Sequence, residues 1–203
     1  MIVNSHSTGF ASDWVQRWSH LVSPQGRVLD VACGRGRHIR WFCKRGHPAT
    51  GVDHSAESID YVADLVASGQ AEAVVADIEN GLWPLMKGIN CRQFDAVVVT
   101  NYLWRPLFPT LLASLAPGGV LIYETFAAGN ETVGKPSRPD FLLQPGELLQ
   151  LCKNLHVVAF ENGFLSNPDR FVQRIVAMRT NRLPDATLPR EGVMEPPRRY
   201  SLG

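Results

Sequence analysis

Three aspartates and two glycines are the residues of this chain whose types and spacing point to chemistry. Asp30 lies inside an apolar run, Val28-Leu29-Asp30-Val31-Ala32, and Gly34 and Gly36 follow within six residues. A carboxylate in such a run needs a partner, because burial without one is costly. Glycines after an apolar strand let the chain turn and let a ligand approach the main chain closely. The helix that follows offers N–H groups with no intrahelical acceptor. A carboxylate beside that turn is poorly suited to a pyrophosphate and well suited to an ammonium group, directly or through water. Asp53 ends the next apolar run, seventeen residues past Gly36, where a carboxylate can accept from both hydroxyls of a ribose. Asp77 follows a third run, in Ala76-Asp77-Ile78. Taken singly, Asp53 and Asp77 serve equally well as helix caps or loop carboxylates. Cys33 reads as a small turn residue rather than a nucleophile. Arg37 and His38 open a helix, where capping or stacking is the simpler role, and His38 is also a candidate pocket residue.

The elements that position these residues alternate along the chain. Residues 27–32, 48–53, 72–76, 94–100 and 120–125 read as strands, and 94–100 (FDAVVVT) is apolar enough for a central parallel strand. Between them, helix-like stretches run from 34–45, 56–67 (with Ser55 as N-cap) and 107–115, the last ended by Pro117, Gly118 and Gly119. Residues 12–21 form a further helix with Ser12 as its N-cap, and Trp14 and Trp18 share one face of it. Core packing is the favoured role for the two tryptophans, and a lid over a ligand is the alternative. Residues 126–144 are rich in Gly, Pro, Asn and Ser and form a long loop. Such loops usually have a function, and a lid over an acceptor pocket is expected here. A short helix over 144–152 and two strands, 155–164 and 170–179, joined near Asn167-Pro168-Asp169, complete the chain as an antiparallel hairpin. This is an α/β pattern: a mostly parallel sheet with helices on both faces.

Bulk properties exclude several classes. The chain has 203 residues, 45% hydrophobic and 19% charged, with a formal net charge of +1, so no global field recruits nucleic acid or membrane. Its four cysteines are scattered with no CxxC pair, which argues against a zinc site or a disulfide framework and for a reducing cytoplasm. No metal is expected. No basic segment precedes an apolar run at the N-terminus, and no stretch reaches the ~20 apolar residues that cross a bilayer.

The D-x-x-x-G-x-G pattern of Asp30, Gly34 and Gly36, with the strand-helix order around it, resembles the class I S-adenosylmethionine-dependent methyltransferases over residues 25–180. The resemblance implies a Rossmann-like sheet of seven strands whose last two form an antiparallel hairpin. It implies S-adenosylmethionine as cofactor, with contacts from Asp30, Ala32, Cys33, Gly34, Gly36, Asp53, His54, Asp77, Ile78 and Asn101. In this family the acid at Asp77 accepts from the adenine amino group, an apolar neighbour packs on the ring, and residues at Asn101 and Tyr102 face the transferred methyl. Ala116-Pro117-Gly118-Gly119 before the fifth expected strand is a further family feature. The expected organisation is one methyltransferase domain over residues 1–180, with 1–24 as an N-terminal helical cap and 181–203 as a Pro/Arg-rich tail. Residues 123–134 and 141–148 resemble a group of small bacterial methyltransferases without an assigned substrate. They more distantly resemble the tellurite-resistance methyltransferases, through a P-x-F/L…G-E-L element, here Pro139-Asp140-Phe141…Gly146-Glu147-Leu148.

Transfer from a sulfonium is an in-line displacement, so the protein has mainly to align the acceptor and exclude water. Tyr102 and Trp104 are candidates for the aromatic wall around the methyl. Tyr102 and Glu124 are the candidate catalytic residues. Glu124 is placed to take a proton from the acceptor, and a structural role for it is an equal alternative. Asn101-Tyr102-Leu103-Trp104 lacks the prolines of the N/D-P-P-Y motif found in methyltransferases of adenine or glutamine amino groups. A small-molecule acceptor, or a thiol or chalcogen nucleophile, is therefore expected. Arg182, Arg190, Arg198 and Arg199 keep RNA or a protein partner open. Two other classes compete. One is a nucleotide-dependent oxidoreductase, disfavoured because Ile39 stands where the third glycine of G-x-G-x-x-G belongs. The other is a methyltransferase-like binding protein without transfer activity.

Overall fold

The computed structural model describes residues 9–180 and 199–202. The first helix, α1 (Asp13–Trp18), starts where its cap predicts: the Ser12 hydroxyl accepts from the Val15 N–H at 3.1 Å. A 3-10 turn, Ser19–Leu21, ends it. Then come β1 (Val28–Val31), α2 (Arg37–Cys43), β2 (Ala49–Asp53), α3 (Ala56–Asp60), α4 (Ala63–Ala67) and β3 (Ala71–Val75). A small hairpin, β4 (Met86–Lys87) with β5 (Asn90–Cys91), precedes β6 (Phe94–Thr100). After β6 come α5 (Phe108–Ala113), β7 (Leu115–Phe126), α6 (Glu147–Leu151), β8 (His156–Leu165) and β9 (Arg170–Met178).

Seven strands form one sheet in the order β3-β2-β1-β6-β7-β9-β8. The pairs from β3 to β7 are parallel, and β9 runs antiparallel to both β7 and β8. This is the Rossmann-like methyltransferase sheet expected from the sequence. Alternate residues face opposite layers, as the period of two requires. Val28, Ala96, Val98, Val120, Ile122 and Val176 pack under Trp14, Trp18, Ile39 and Phe42 of α1 and α2. Leu29, Val31, Val97, Val99, Leu121 and Ile175 pack under Phe108, Leu111 and Leu148 of α5 and α6. Trp14 and Trp18, with ring centroids 5.6 Å apart, are both buried. They are core residues and not a lid.

Three elements differ from the sequence reading. The helix expected over 56–67 is two helices, because Val62 leaves helical dihedrals and buries its side chain against Gly36. The helix expected to reach Leu115 ends at Ala113, and β7 begins at Leu115. Pro117, Gly118 and Gly119 form its irregular start: Gly118 N–H donates to the Arg179 carbonyl, and Arg179 N–H to that of Gly119. The β4-β5 hairpin is too short to leave a periodic signal. Of the tail expected over 181–203, residues 181–198 and 203 lie outside the described residues, as do residues 1–8 of the N-terminal cap.

Candidate active site

Asp30 sits one residue before the end of β1, 1% exposed, on the face covered by α1 and α2. Its Oδ1 lies 3.6 Å from Nδ1 of His38, itself 2% exposed. Its Oδ2 is buried and has no hydrogen-bond partner among the described residues. A buried carboxylate oxygen without a donor is costly to maintain unless a ligand supplies one. The turn beyond it carries positive φ at Ala32 (52°), Gly34 (52°) and Gly36 (70°). At Gly34 a Cβ would meet nothing within 4 Å, so the outer surface of the turn is open to a ligand. At Gly36 a Cβ would lie 2.2 Å from Val62 Cγ1, so this glycine serves close packing. The orphaned oxygen and the open turn fit the ammonium-bearing end of S-adenosylmethionine.

Asp53, at the end of β2, is buried and bent back onto the turn. Its Oδ2 accepts from the Gly34 N–H at 2.8 Å and its Oδ1 from the Ser55 N–H at 2.9 Å. His54 is exposed, with Nδ1 3.3 Å from Asp53 Oδ1. Cys33 is buried between the two carboxylates. Burial first, then the charges of Asp30 and Asp53, push its thiol far above the ordinary range, so it remains a neutral turn residue.

Asp77 is exposed and caps its own turn. Oδ1 accepts from the N–H groups of Glu79 and Asn80 at 2.9 and 3.0 Å, and Oδ2 from the Asn80 amide at 3.1 Å. These bonds, led by that from the Asn80 N–H, lower its pKa. Ile78 lines a cavity of about 190 Å³ with Glu79, Trp83 and Trp104. At the end of β6, Asn101 is exposed with φ 57°, and its N–H still donates to the Glu124 carbonyl at 2.9 Å. Tyr102 then turns toward the α5 face, where its carbonyl accepts from the Tyr123 hydroxyl at 2.7 Å. The Tyr102 hydroxyl is buried and has no hydrogen-bond partner among the described residues. Burial, then the negative charge of Glu79, push its pKa up, and the phenol stays protonated at neutral pH.

Glu124 stands in a polar row that crosses four strands. Thr100 is opposite Glu124, Glu124 opposite Arg174, and Arg174 opposite Glu161. The Arg174 guanidinium reaches Glu124 Oε2 at 3.2 Å and Glu161 Oε2 at 2.6 Å, and lies 4.7 Å from the Trp14 ring. Arg37 donates to the Thr100 hydroxyl at 3.3 Å. Burial weakens the Arg37 charge, Asp30 and Glu124 support it, and Arg170 opposes it. Glu124 is thus held as an ion pair under α1. Arg174 and Glu161 were not legible as site-lining residues, because only strand register brings them into line, and Arg37 reaches Thr100 from the start of α2.

The segment 126–144 starts at the carboxyl end of β7 and is pinned at both ends. Ala127 and Leu143 form a bridge, and the buried Asn130 donates to the Pro136 carbonyl and accepts from the Phe171 N–H. Arg105 binds Glu147 through two bonds of 2.6 and 2.9 Å and donates to the carbonyls of Asp140 and Leu142. Two 3-10 turns, Asn130–Thr132 and Pro139–Phe141, occupy a stretch expected to lack regular structure.

Residues 28–119, from β1 into the start of β7, match the methyltransferase domain family. The chain carries a class I, S-adenosylmethionine-dependent methyltransferase domain. A putative methyltransferase of Bacillus subtilis, YqeM, is 28% identical over 122 residues, covering 55% of this chain and 47% of that protein. The malonyl-[acyl-carrier protein] O-methyltransferase of Serratia marcescens is 31% identical over 111 residues, covering 53% and 41%. The chain thus spans less than half the length of these curated relatives. Among solved structures, TehB from Haemophilus influenzae superposes with a TM-score of 0.68 at 19% identity, over 87% of this chain and 64% of that one. At that identity the likeness of this methyltransferase domain to TehB is one of fold. No helix among the described residues is long and apolar enough to cross a membrane.

Proposed function

We propose that this methyltransferase moves the methyl group of S-adenosylmethionine to a small-molecule acceptor, with a thiol or chalcogen nucleophile as the favoured class. The observation that carries the reading is Asp30 Oδ2, a buried carboxylate oxygen without a donor among the described residues, beside a turn whose outer surface is open. When bound, the cofactor supplies a methyl already activated on a sulfonium. Asp30 accepts from its ammonium. Ala32, Cys33, Gly34 and Gly36 present main chain to it, and Asp53, next to His54, accepts from the ribose with the lone pairs that the turn leaves over. Asp77 and Ile78 form the adenine end, with Asp77 accepting through lone pairs not used in its own turn. Asn101 borders the methyl. Tyr102 acts as a neutral phenol in the acceptor wall, with Trp104 beside it. Glu124, paired with Arg174, orders the sheet end beneath the acceptor and is a weaker candidate for a free base than the sequence implies. Residues 126–144 cover the acceptor side from their anchors on Phe171 and Arg105. Residues 1–180 act as one methyltransferase domain in the cytoplasm, with residues 1–24 as its cap.

Two experiments test the proposal. A thermal-shift comparison of S-adenosylmethionine and S-adenosylhomocysteine with NAD and NADP is expected to show stabilisation by the first pair alone. Stabilisation by a dinucleotide instead returns the chain to the oxidoreductase class. Methyl release is then measured on a panel of thiols, phenols and small carboxylates. The carboxylates belong in it because the Serratia relative is an O-methyltransferase by name. Cofactor binding with no turnover on any acceptor leaves the binding-protein reading.

A further inference from the structure

His38 is buried to the same degree as Asp30, and both of its ring nitrogens face polar groups. The Ser12 N–H points at Nε2 from 3.3 Å. A backbone N–H can only donate, so Nε2 is the unprotonated nitrogen. The proton of a neutral imidazole then sits on Nδ1, the nitrogen 3.6 Å from Asp30 Oδ1. The ring therefore faces one carboxylate oxygen of Asp30 across 3.6 Å, longer than a hydrogen bond, while the other, Oδ2, has no partner among the described residues. Its far side holds the residue that caps α1, since Ser12 Oγ accepts from Val15 N–H and the Ser12 carbonyl accepts from Gln16 N–H. One side chain thus joins the cofactor turn to the N-terminal helix.

We propose that His38 is a positioning residue: through Nδ1–H it fixes Asp30 so that Oδ2 receives the cofactor's ammonium, and through Nε2 it ties the start of α1 to that same carboxylate. The inference rests on the cofactor reading above. It adds a residue which does not touch the ligand, and a link between ligand binding and the order of the N-terminal helix. The link follows from the tautomer. A cation bound at Oδ2 keeps Nδ1–H turned toward Oδ1 and Nε2 as an acceptor for Ser12.

Two amide substitutions separate the two halves of the ring. In His38→Asn the amide nitrogen takes the place of Nδ1 and keeps the donor toward Asp30. In His38→Gln the amide oxygen takes the place of Nε2 and keeps the acceptor toward Ser12. Calorimetry is done with S-adenosylhomocysteine and with its desamino analogue, which keeps the carboxylate and lacks the ammonium. His38→Gln is expected to weaken S-adenosylhomocysteine about tenfold, the scale of one hydrogen bond to a charged group, and to leave the desamino analogue within about twofold. His38→Asn is expected to hold both affinities near wild type and to speed hydrogen exchange at Ser12 and Val15, which His38→Gln leaves protected. A merely structural role would weaken both ligands equally in each variant. That result, or two variants that cannot be told apart, overturns the proposal. A wild-type protein that binds neither ligand overturns the cofactor reading first, and this inference with it.

Discussion

Replacing Asp53 tests the site and the fold together, because the same carboxylate serves both. Its two oxygens accept from the Gly34 and Ser55 N–H groups at 2.8 and 2.9 Å, and the side chain is buried. Asp53→Ala removes both acceptors and leaves two part-buried main-chain donors without them. A hydrogen bond to a charged group contributes about 1.5–3 kcal/mol, so two of them near the lower bound give about 3 kcal/mol of stability. For a domain of this size that is a fall in Tm of roughly 6–12 °C. The ribose contact adds a separate loss of about 1–3 kcal/mol in cofactor affinity. The two losses are measured apart: urea denaturation of the ligand-free protein gives the first, and calorimetry with S-adenosylhomocysteine below the variant's Tm gives the second. Asp53→Asn discriminates further. It keeps one acceptor but turns an N–H₂ toward a main-chain donor, so it should lie between Ala and wild type in stability. Ligand-free Asp53→Ala with wild-type stability would refute the reasoning about the turn. Unchanged affinity in a folded variant would remove Asp53 from the ribose subsite.

Three further outcomes are expected. Burial raises the pKa of Glu147, but its bonds from Arg105 and the Gln144 N–H outweigh this and leave it depressed. Its contribution is therefore present above the ordinary glutamate value of about 4.3 and is lost as pH falls through the lower folded-state value. The Tm deficit of Glu147→Gln, clear at pH 7, should close on acidification below about pH 4, and a deficit constant with pH would contradict the ion pair. Glu124→Gln breaks the pair with Arg174, which keeps Glu161 as a partner, and should lower the midpoint of urea unfolding by the equivalent of about 1.5–3 kcal/mol, the scale of one hydrogen bond to a charged group. Loss of turnover at an unchanged midpoint would instead restore Glu124 as a base. Ala32 has φ 52°, a conformation costing a side-chain residue about 1–2 kcal/mol, so Ala32→Gly should be neutral to slightly stabilising by thermal melting. Ala32→Val should be clearly destabilising, and equal tolerance of both would argue against strain at this turn.

Asp30 and the order of strands and helices were readable because they are local. An apolar run, a glycine turn and a helix lie within about twenty residues, and the period of two sends Val28 and Asp30 to one face. The seven-stranded sheet with its antiparallel end followed from that alternation and from the hairpin near Asn167, whereas the order β3-β2-β1-β6-β7-β9-β8 is set by the tertiary pairing. Element ends were less legible. Val62 breaks a helix that its own neighbours favour, because burial against Gly36, 26 residues away, outweighs a few tenths of a kcal/mol of local propensity.

The aspartates show the same division within the site. That Asp30, Asp53 and Asp77 come to the carboxyl ends of β1, β2 and β3 follows from the sequence, since Asp30 lies near the end of its apolar run, Asp53 ends the next and Asp77 follows the third. What each carboxylate does there is a tertiary matter. Asp53 is drawn onto the Gly34 N–H, Asp77 closes on its own turn, and Asp30 keeps one oxygen without a partner among the described residues while the other faces His38 of the next helix. Glu124 is the clearest case. Its position in the chain suggests a base, and only the register of β7 on β9 sets it against Arg174, because the hydrogen bonds that align those strands join residues fifty positions apart. Local spacing determines which groups reach one edge of the sheet. Which of them remain free for chemistry is decided by long-range pairing, because a buried charge takes the nearest compensating partner that the folded chain provides.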